Sequence, residues 1–378
     1  MDKREFDMNR TEHPSRKQHV PWIDLLRVAA CFMVVFSHSC DFFVARFDDD
    51  RAEFLSGMLW GSAMRACVPL FVMISGVLLL PVRMKTGAFY RRRLGRILWP
   101  LVVWSLLTPL FYWGYGHAEG EQLGYNIASF PLNFNYTTTP LWYLYMLVGL
   151  YLIFPVVSPW IAQASKRELK RFLYLWGFTL FIPYIRVLAP ACGYVGNYGH
   201  TGIFGECDWN AFGTFYYFSG FLGYAVLACY LNRYPSERPK RTLLWRSALC
   251  FAAGYGLTAG GYWLTQRFYP TDYAYLEVPW FFNGFSVFLM VYGLFTALQT
   301  VRSADAKAAG RWNRLAGLTF GIYLCHFFIV QLGYDFVYAC VPLPSGLQIL
   351  LIAVLVFGVS AGVVRLLRKL PFHRYLIG

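Results

Sequence analysis

Charge is scarce in this sequence. Asp, Glu, Lys and Arg make up 14% of its 378 residues, against about 25% in ordinary soluble domains. There is too little polar surface here to coat a water-soluble body of this size. Zinc spacing is missing as well, because the nine cysteines include no CxxC pair and no Cys/His arrangement suited to the metal. No internal repeat or low-complexity tract is visible, so neither a solenoid nor a duplicated transporter shows its usual signature. The start of the chain lacks the marks of a cleavable leader. Residues 1–19 are polar and too long for a short basic region, and the apolar run after them has no clear small-residue cleavage site, so the run from Trp22 is expected to be a retained span.

Apolar matter takes the place of charge. Hydrophobic residues are 57% of the chain and aromatic ones 20%, the latter fitting a protein with many membrane–water interfaces. A spanning helix needs about 20 predominantly apolar residues, and ten such runs occur: 22–44, 54–80, 97–115, 140–161, 172–190, 210–231, 242–265, 277–299, 315–339 and 346–366. The prediction is an all-α integral membrane protein, a bundle of about ten transmembrane helices in one domain over 22–366, with tails at 1–21 and 367–378.

The formal net charge of +14 points superficially to nucleic acid, but its distribution excludes that partner. Segments 1–21, 81–96, 162–171, 232–246, 300–314 and 365–378 hold 28 of the 34 Lys and Arg residues. The alternate connections hold almost none: Arg46, Arg51 and Arg267, with Arg186 near one edge. This is the positive-inside pattern, which sets both termini in the cytoplasm and disperses the basic residues over six short segments. Cys31, Cys67, Cys229, Cys250 and Cys325 fall in apolar runs and read as packing residues. Cys192 and Cys207 share an outer loop, where an oxidising compartment would let them pair.

Several ionisable groups stand where lipid disfavours them. Arg65, His38 and His326 lie within the predicted hydrocarbon, and Asp24 and Arg27 lie near the cytoplasmic end of the first span. An Arg at a helix centre costs about 2.5 kcal/mol or more, which makes each such group a functional candidate. Arg27 and His38 are eleven residues apart. That spacing returns to nearly the same helical face and separates them by roughly 16 Å along the axis, comparable to the reach of an extended pantetheine arm. Asp24 is placed to hold Arg27 by an i,i+3 pair. Counted from the cytoplasmic side, His38 and Arg65 sit at almost one depth, roughly 22–24 Å up. A general base and an oxyanion stabiliser at one level fit acyl transfer; the competing expectation is that Arg65 snorkels or bonds to backbone carbonyls. Arg93 and Arg96, in Tyr90-Arg91-Arg92-Arg93-Leu94-Gly95-Arg96, share a side and suit phosphates, although any cytoplasmic loop collects arginine. A lone His326 is more often a packing group between helices. Asp335 and Glu277, near outer span ends, either touch an acceptor or face water. Phe130-Pro131 and Tyr198-Gly199-His200 read as outside loops.

These residues carry a resemblance. Ile23-Asp24-Leu25-Leu26-Arg27 followed by Ser37-His38-Ser39 resembles the signature of the bacterial acyltransferase-3 family. Arg65 with Val68-Pro69-Leu70-Phe71 and Ile74-Ser75-Gly76 resembles its second helix, and Arg93-Leu94-Gly95-Arg96 its RxxR motif. Leu141-Trp142-Tyr143-Leu144, with Leu150-Tyr151 and Pro155, resembles its fourth helix, and Gly321-Ile322-Tyr323-Leu324 with His326 its ninth. The motifs follow the family's order on the expected spans; Phe328 departs from a frequent proline. The resemblance implies an enzyme of the bacterial inner membrane, of the stand-alone branch without a periplasmic esterase domain. It implies O-acylation of a cell-surface glycan, a lipid-linked sugar or a similar acceptor. His38 would be catalytic, Arg27 part of the active-site stripe, and Arg93 with Arg96 the grip on coenzyme A. No permanent cofactor or metal is implied; acyl-CoA, acetyl-CoA foremost, is the co-substrate, and direct transfer and an acyl-His38 intermediate both fit. Asp24, Trp142, Tyr143, Tyr323 and His326 would support the site. The alternative class is a transporter of the acyl donor or of a lipid-linked glycan, bedded like the enzyme in membrane lipids.

Overall fold

The computed structural model describes residues 21–378 apart from 47–48, 131, 133, 135, 195, 197–201, 208–209, 211, 271–275 and 302–305. The N-terminal tail and the loop pieces at Pro131 and Tyr198-Gly199-His200 lie outside the described residues. The apolar runs become helices because a segment without water to bond must satisfy its N–H and C=O groups internally. Among the described residues no strand forms; Cys207 and Asn210 make an isolated bridge. The helices are α1 (Pro21–Val44), α2 (Arg51–Met64), α3 (Cys67–Leu79), α4 (Thr86–Gly114), α5 (Gly120–Ser129), α6 (Trp142–Gln163), α7 (Lys166–Thr179), α8 (Ile182–Ala191), α9 (Leu222–Arg233), α10 (Lys240–Phe268), α11 (Phe285–Gln299), α12 (Ala306–Cys340), α13 (Ser345–Leu367) and α14 (His373–Ile377).

Helix α1 is the centre of the bundle. It packs against α2, α3, α12 and α13, and Leu26, Ala30, Cys31, Val35, Cys40 and Phe43 on it are fully buried. Because α1 is surrounded, a polar side chain on it has only cavities to face. Helices α10 and α11 pack along each other, joined by a hydrogen bond between the Ser247 and Thr296 hydroxyls at 2.8 Å.

Among the described residues, eight stretches are long and apolar enough to cross a membrane: Pro21–Val44, Arg51–Leu79, Thr86–Gly114, Thr138–Gln163, Lys166–Pro190, Val278–Gln299, Ala309–Cys340 and Ser345–Leu367. The two other expected spans differ. Residues 210–231 are not one helix, since Gly213–Phe218 is a 3-10 turn and α9 has only 12 residues. That is about 18 Å of helix against a hydrocarbon core of about 30 Å. The run at 242–265 becomes the 29-residue α10, long enough, but its apolar residues are diluted by Gly, Thr, Tyr and Arg.

Three boundaries shift for local reasons. The run 54–80 is two helices, broken at Arg65 and Ala66. Pro69 has no N–H to give the Arg65 carbonyl four residues back, so the ladder fails there. In the same way Pro183 leaves the Thr179 carbonyl without its partner, and the fifth run divides into α7 and α8. Helix α7 begins at Lys166 because Ser165 and Glu168 form a reciprocal capping box, Ser165 N to Glu168 Oε2 at 2.7 Å. Helix α4 starts at Thr86, eleven residues before the expected 97, so Arg93 and Arg96 already lie on regular helix.

All nine cysteines are free, and the pairing of Cys192 with Cys207 does not form. Cys192 ends α8 with its amide bonded to the Leu188 carbonyl, while Cys207 is held in the bridge with Asn210. Cys31, Cys67, Cys229 and Cys325 are buried and Cys250 is half-buried, as packing residues should be. The C-terminal segment is not a loose tail: Trp104 Nε1 donates to the Leu376 carbonyl at 2.7 Å, and Ile377 is buried.

Helix α3 meets α9 at Gly76, where a Cβ would lie 2.4 Å from the Ala225 carbonyl oxygen. Backbone cannot retreat as a side chain does. Gly76→Ala should therefore lower stability by about 1–3 kcal/mol, read as a lower thermal unfolding midpoint of detergent-purified protein. Gly87→Ala, whose Cβ meets nothing within 4 Å, is the control and should barely shift it.

Candidate active site

Helix α1 presents Val34, His38 and Asp41 on one face, and that face opens on a cavity of about 980 Å³. His38 Nδ1 lies 2.7 Å from Asp41 Oδ2. A carboxylate can only accept, so Nδ1 carries the hydrogen, and in the neutral ring the lone pair of a base is then on Nε2. His326 is fully buried, its ring centroid 5.3 Å from that of His38. Its Nδ1 donates to the Tyr323 carbonyl at 2.5 Å, and its Nε2 is buried without a hydrogen-bond partner. His326 thus backs His38 from behind the cavity wall with an unused acceptor.

Arg65 lines the same cavity, at the break between α2 and α3. Its Nε donates to the Trp280 carbonyl at 3.1 Å. Its guanidinium carbon lies 4.8 Å from the Trp280 ring centre and 4.6 Å from that of Phe282. Cation–π contacts of this kind contribute about 2 kcal/mol when desolvated, enough to offset much of the cost of an Arg at membrane depth. The backbone-bonding expectation therefore holds for Nε alone; Nη1 and Nη2 make no protein hydrogen bond among the described residues. Trp280 is in turn fixed by Nε1 donating to Ser62 Oγ at 2.8 Å and by stacking on Tyr262 at 4.2 Å. It fits against α2 only because residue 61 is glycine, where a Cβ would lie 2.9 Å from the Trp280 ring.

Part of the cavity lining is polar. Arg186 pairs with the buried Glu206 at 2.6 Å, and Glu277 and Asn283 join the lining. Asn283 Oδ1 is buried without a partner. Trp142 stacks on Phe282 at 5.5 Å, giving an aromatic wall beside these groups. Asp335 is elsewhere, accepting from the Tyr115 hydroxyl at 2.9 Å and from Gln331.

A second, smaller cavity of about 210 Å³ gathers Arg27, Arg93 and Arg96 with Ser75 and Tyr151. Asp24 holds Arg27 only loosely, Nη1 to Oδ1 at 3.9 Å, because the carboxylate also accepts from Asn313 Nδ2 at 3.1 Å. Arg93 Nε is buried without a hydrogen-bond partner. Three cations close enough to repel one another, with an unused donor among them, make a cradle for an anion with several acceptor oxygens. Phe71, Tyr143 and Tyr323 line both cavities.

The structure therefore divides the sequence-predicted residues between two compartments. His38, Arg65, Trp142, Tyr143 and Tyr323 meet at the larger cavity. Arg27 does not reach it and belongs with Arg93 and Arg96. Sequence reasoning missed Asp41, although its i,i+3 spacing from His38 repeats that of Asp24 and Arg27. It also missed Trp280 and Phe282, for which no local signal exists.

A family model described as an acyltransferase domain matches residues 20–365, a stretch that contains every residue of both cavities. No curated protein and no solved structure matches the chain.

Proposed function

The chain belongs to the acyltransferase-3 family and is a membrane acyltransferase; from that premise, we propose that it moves an acyl group from cytoplasmic coenzyme A to a hydroxyl of an extracytoplasmic glycan or lipid-linked sugar. The observation that carries this reading is the pair of cavities meeting at three aromatic residues, one furnished with guanidiniums and the other with an imidazole and Arg65. In this reading both termini lie in the cytoplasm and the membrane is the bacterial inner membrane, as the Lys and Arg distribution favours. Ten crossings then require α10 and the segment ending in α9 to complete the count.

The donor's phosphates bind at Arg93 and Arg96, with Arg27 above them, and the unused Arg93 Nε gives them a directed donor. The pantetheine arm rises along α1. Its length matches the roughly 16 Å that separate Arg27 from His38. His38 Nε2 takes the proton of the acceptor hydroxyl, whose oxygen attacks the thioester carbonyl. Negative charge gathers on the carbonyl oxygen opposite the Arg65 Nη groups, held by preorganised aromatic walls. The C–S bond breaks as the tetrahedral species collapses, and the leaving thiolate recovers the proton from the His38 imidazolium. Asp41 keeps His38 in the tautomer with a free Nε2 and stabilises the imidazolium while it lasts. Glu277, Asn283, Trp142 and the Arg186–Glu206 pair form the acceptor side, suited to a hydroxylated ring. A transporter gives no role to the His38–Asp41 pair, so transport is the weaker reading.

His38→Ala should lower acyl transfer by about 10²–10⁴-fold while the protein remains in the membrane at normal levels, measured as labelled acyl groups incorporated from acyl-CoA. Wild-type activity in that variant would remove His38 from the mechanism. Asp41→Asn should give a smaller loss, about tenfold or more, with unchanged affinity for coenzyme A, since it disturbs orientation of the base rather than donor binding. Separately, coenzyme A should bind purified protein saturably. Arg93→Gln and Arg96→Gln should each weaken that binding by about tenfold, the order of one charge-assisted contact; undiminished binding in both variants would place the donor elsewhere.

A further inference from the structure

The donor route just described is interrupted at one level. Phe71 from α3, Tyr143 from α6 and Tyr323 from α12 border both cavities. The Tyr143 ring lies 6.1 Å from that of Phe71 and 5.5 Å from that of Tyr323, the second contact edge-to-face at 72°. Tyr323 is pinned, its hydroxyl donating to the Pro140 carbonyl at 2.6 Å; Tyr143 is held by ring contacts with Phe71, Tyr323 and its neighbour Trp142. The guanidiniums of Arg27, Arg93 and Arg96 open on the cavity below, His38 and Arg65 on the cavity above. No charged side chain belongs to the constriction itself.

We propose that this aromatic ring selects the acyl group: it passes small, uncharged acyl groups to His38 and holds back those that carry a carboxylate or a bulky ring. The proposal rests on the coenzyme A reading above. An acyl group must shed its water to pass between three aromatic side chains. A neutral acetyl loses little by this, whereas a carboxylate loses its hydration and regains at most one hydrogen bond, from the Tyr143 hydroxyl, since that of Tyr323 is already given to Pro140. The faces of aromatic rings also carry negative potential, so they oppose an anion that the arginines just below attract. A succinyl group is thus retained in the lower cavity by the same guanidiniums that bind the donor's phosphates. Width acts separately, because a benzoyl group needs the rings displaced further than the pantetheine arm itself demands. The result is a preference decided before the thioester reaches the base, independent of the acceptor.

The test uses inside-out membrane vesicles from cells that make the protein, so that the native acceptor is present. Radiolabelled acetyl-, succinyl- and benzoyl-CoA are supplied, and label entering the envelope fraction is measured. Wild-type protein should incorporate acetyl at least about tenfold faster than the other two, the range expected when a pocket discriminates by shape and polarity. Tyr143→Ala and Phe71→Ala should narrow the acetyl-to-benzoyl preference to about threefold or less, while purified variants still bind coenzyme A. Equal rates for all three donors in the wild type, or a preference unchanged in both variants that bind coenzyme A, would overturn the selector. Incorporation from none of the three donors in the wild type would instead overturn the donor reading on which it rests.

Discussion

The constraint on which this architecture depends is the cost of holding charge inside a bilayer. Every ionisable group at membrane depth must be wrapped, paired or given water, and this bundle does each in turn. Arg65 is wrapped by Trp280 and Phe282 and bonded to a carbonyl. His38 is paired with Asp41. Arg27, Arg93 and Arg96 share a small cavity with Ser75 and Tyr151. Since α1 is enclosed by five neighbouring helices, α11 among them, its polar stripe faces the interior of the bundle, where the two cavities accommodate it.

Broken helices serve the same end. Pro69 interrupts the ladder at Arg65, and the interruption places that guanidinium beside the 3-10 turn that carries Trp280. A continuous helix would carry the side chain on with its own screw and fix its direction by its neighbours at three and four residues. Non-helical backbone at this depth is tolerated because it borders a cavity rather than lipid.

The two compartments also explain why one residue set has two chemistries. Guanidiniums on α1 and α4 favour anions and, under the proposed acyl transfer, would draw developing negative charge away from the reacting carbonyl. An imidazole among them would have its protonated form opposed by three like charges. In the proposed reading, separating them by a layer of aromatic rings lets His38 act as base and the arginines hold an anion without disturbing each other.

Much of this was legible in the sequence. Period and length revealed the helical membrane bundle, the eleven-residue spacing put Arg27 and His38 on one face, and Lys and Arg clustering marked alternate segments, because each signal is local to the chain. Asp41 was within reach of the same local rule. The count of crossings was less legible, since 210–231 is apolar enough for a span but its glycines and aromatics fold into a turn and a short helix. What only the tertiary structure decided is which residues meet. Arg65 finds Trp280 at a separation of 215 residues, His38 finds His326 on another helix, and Arg27 joins Arg93 and Arg96 instead of His38. Helix periodicity fixes the face a side chain occupies, but the neighbour across that face is set by packing, which no spacing along one chain encodes.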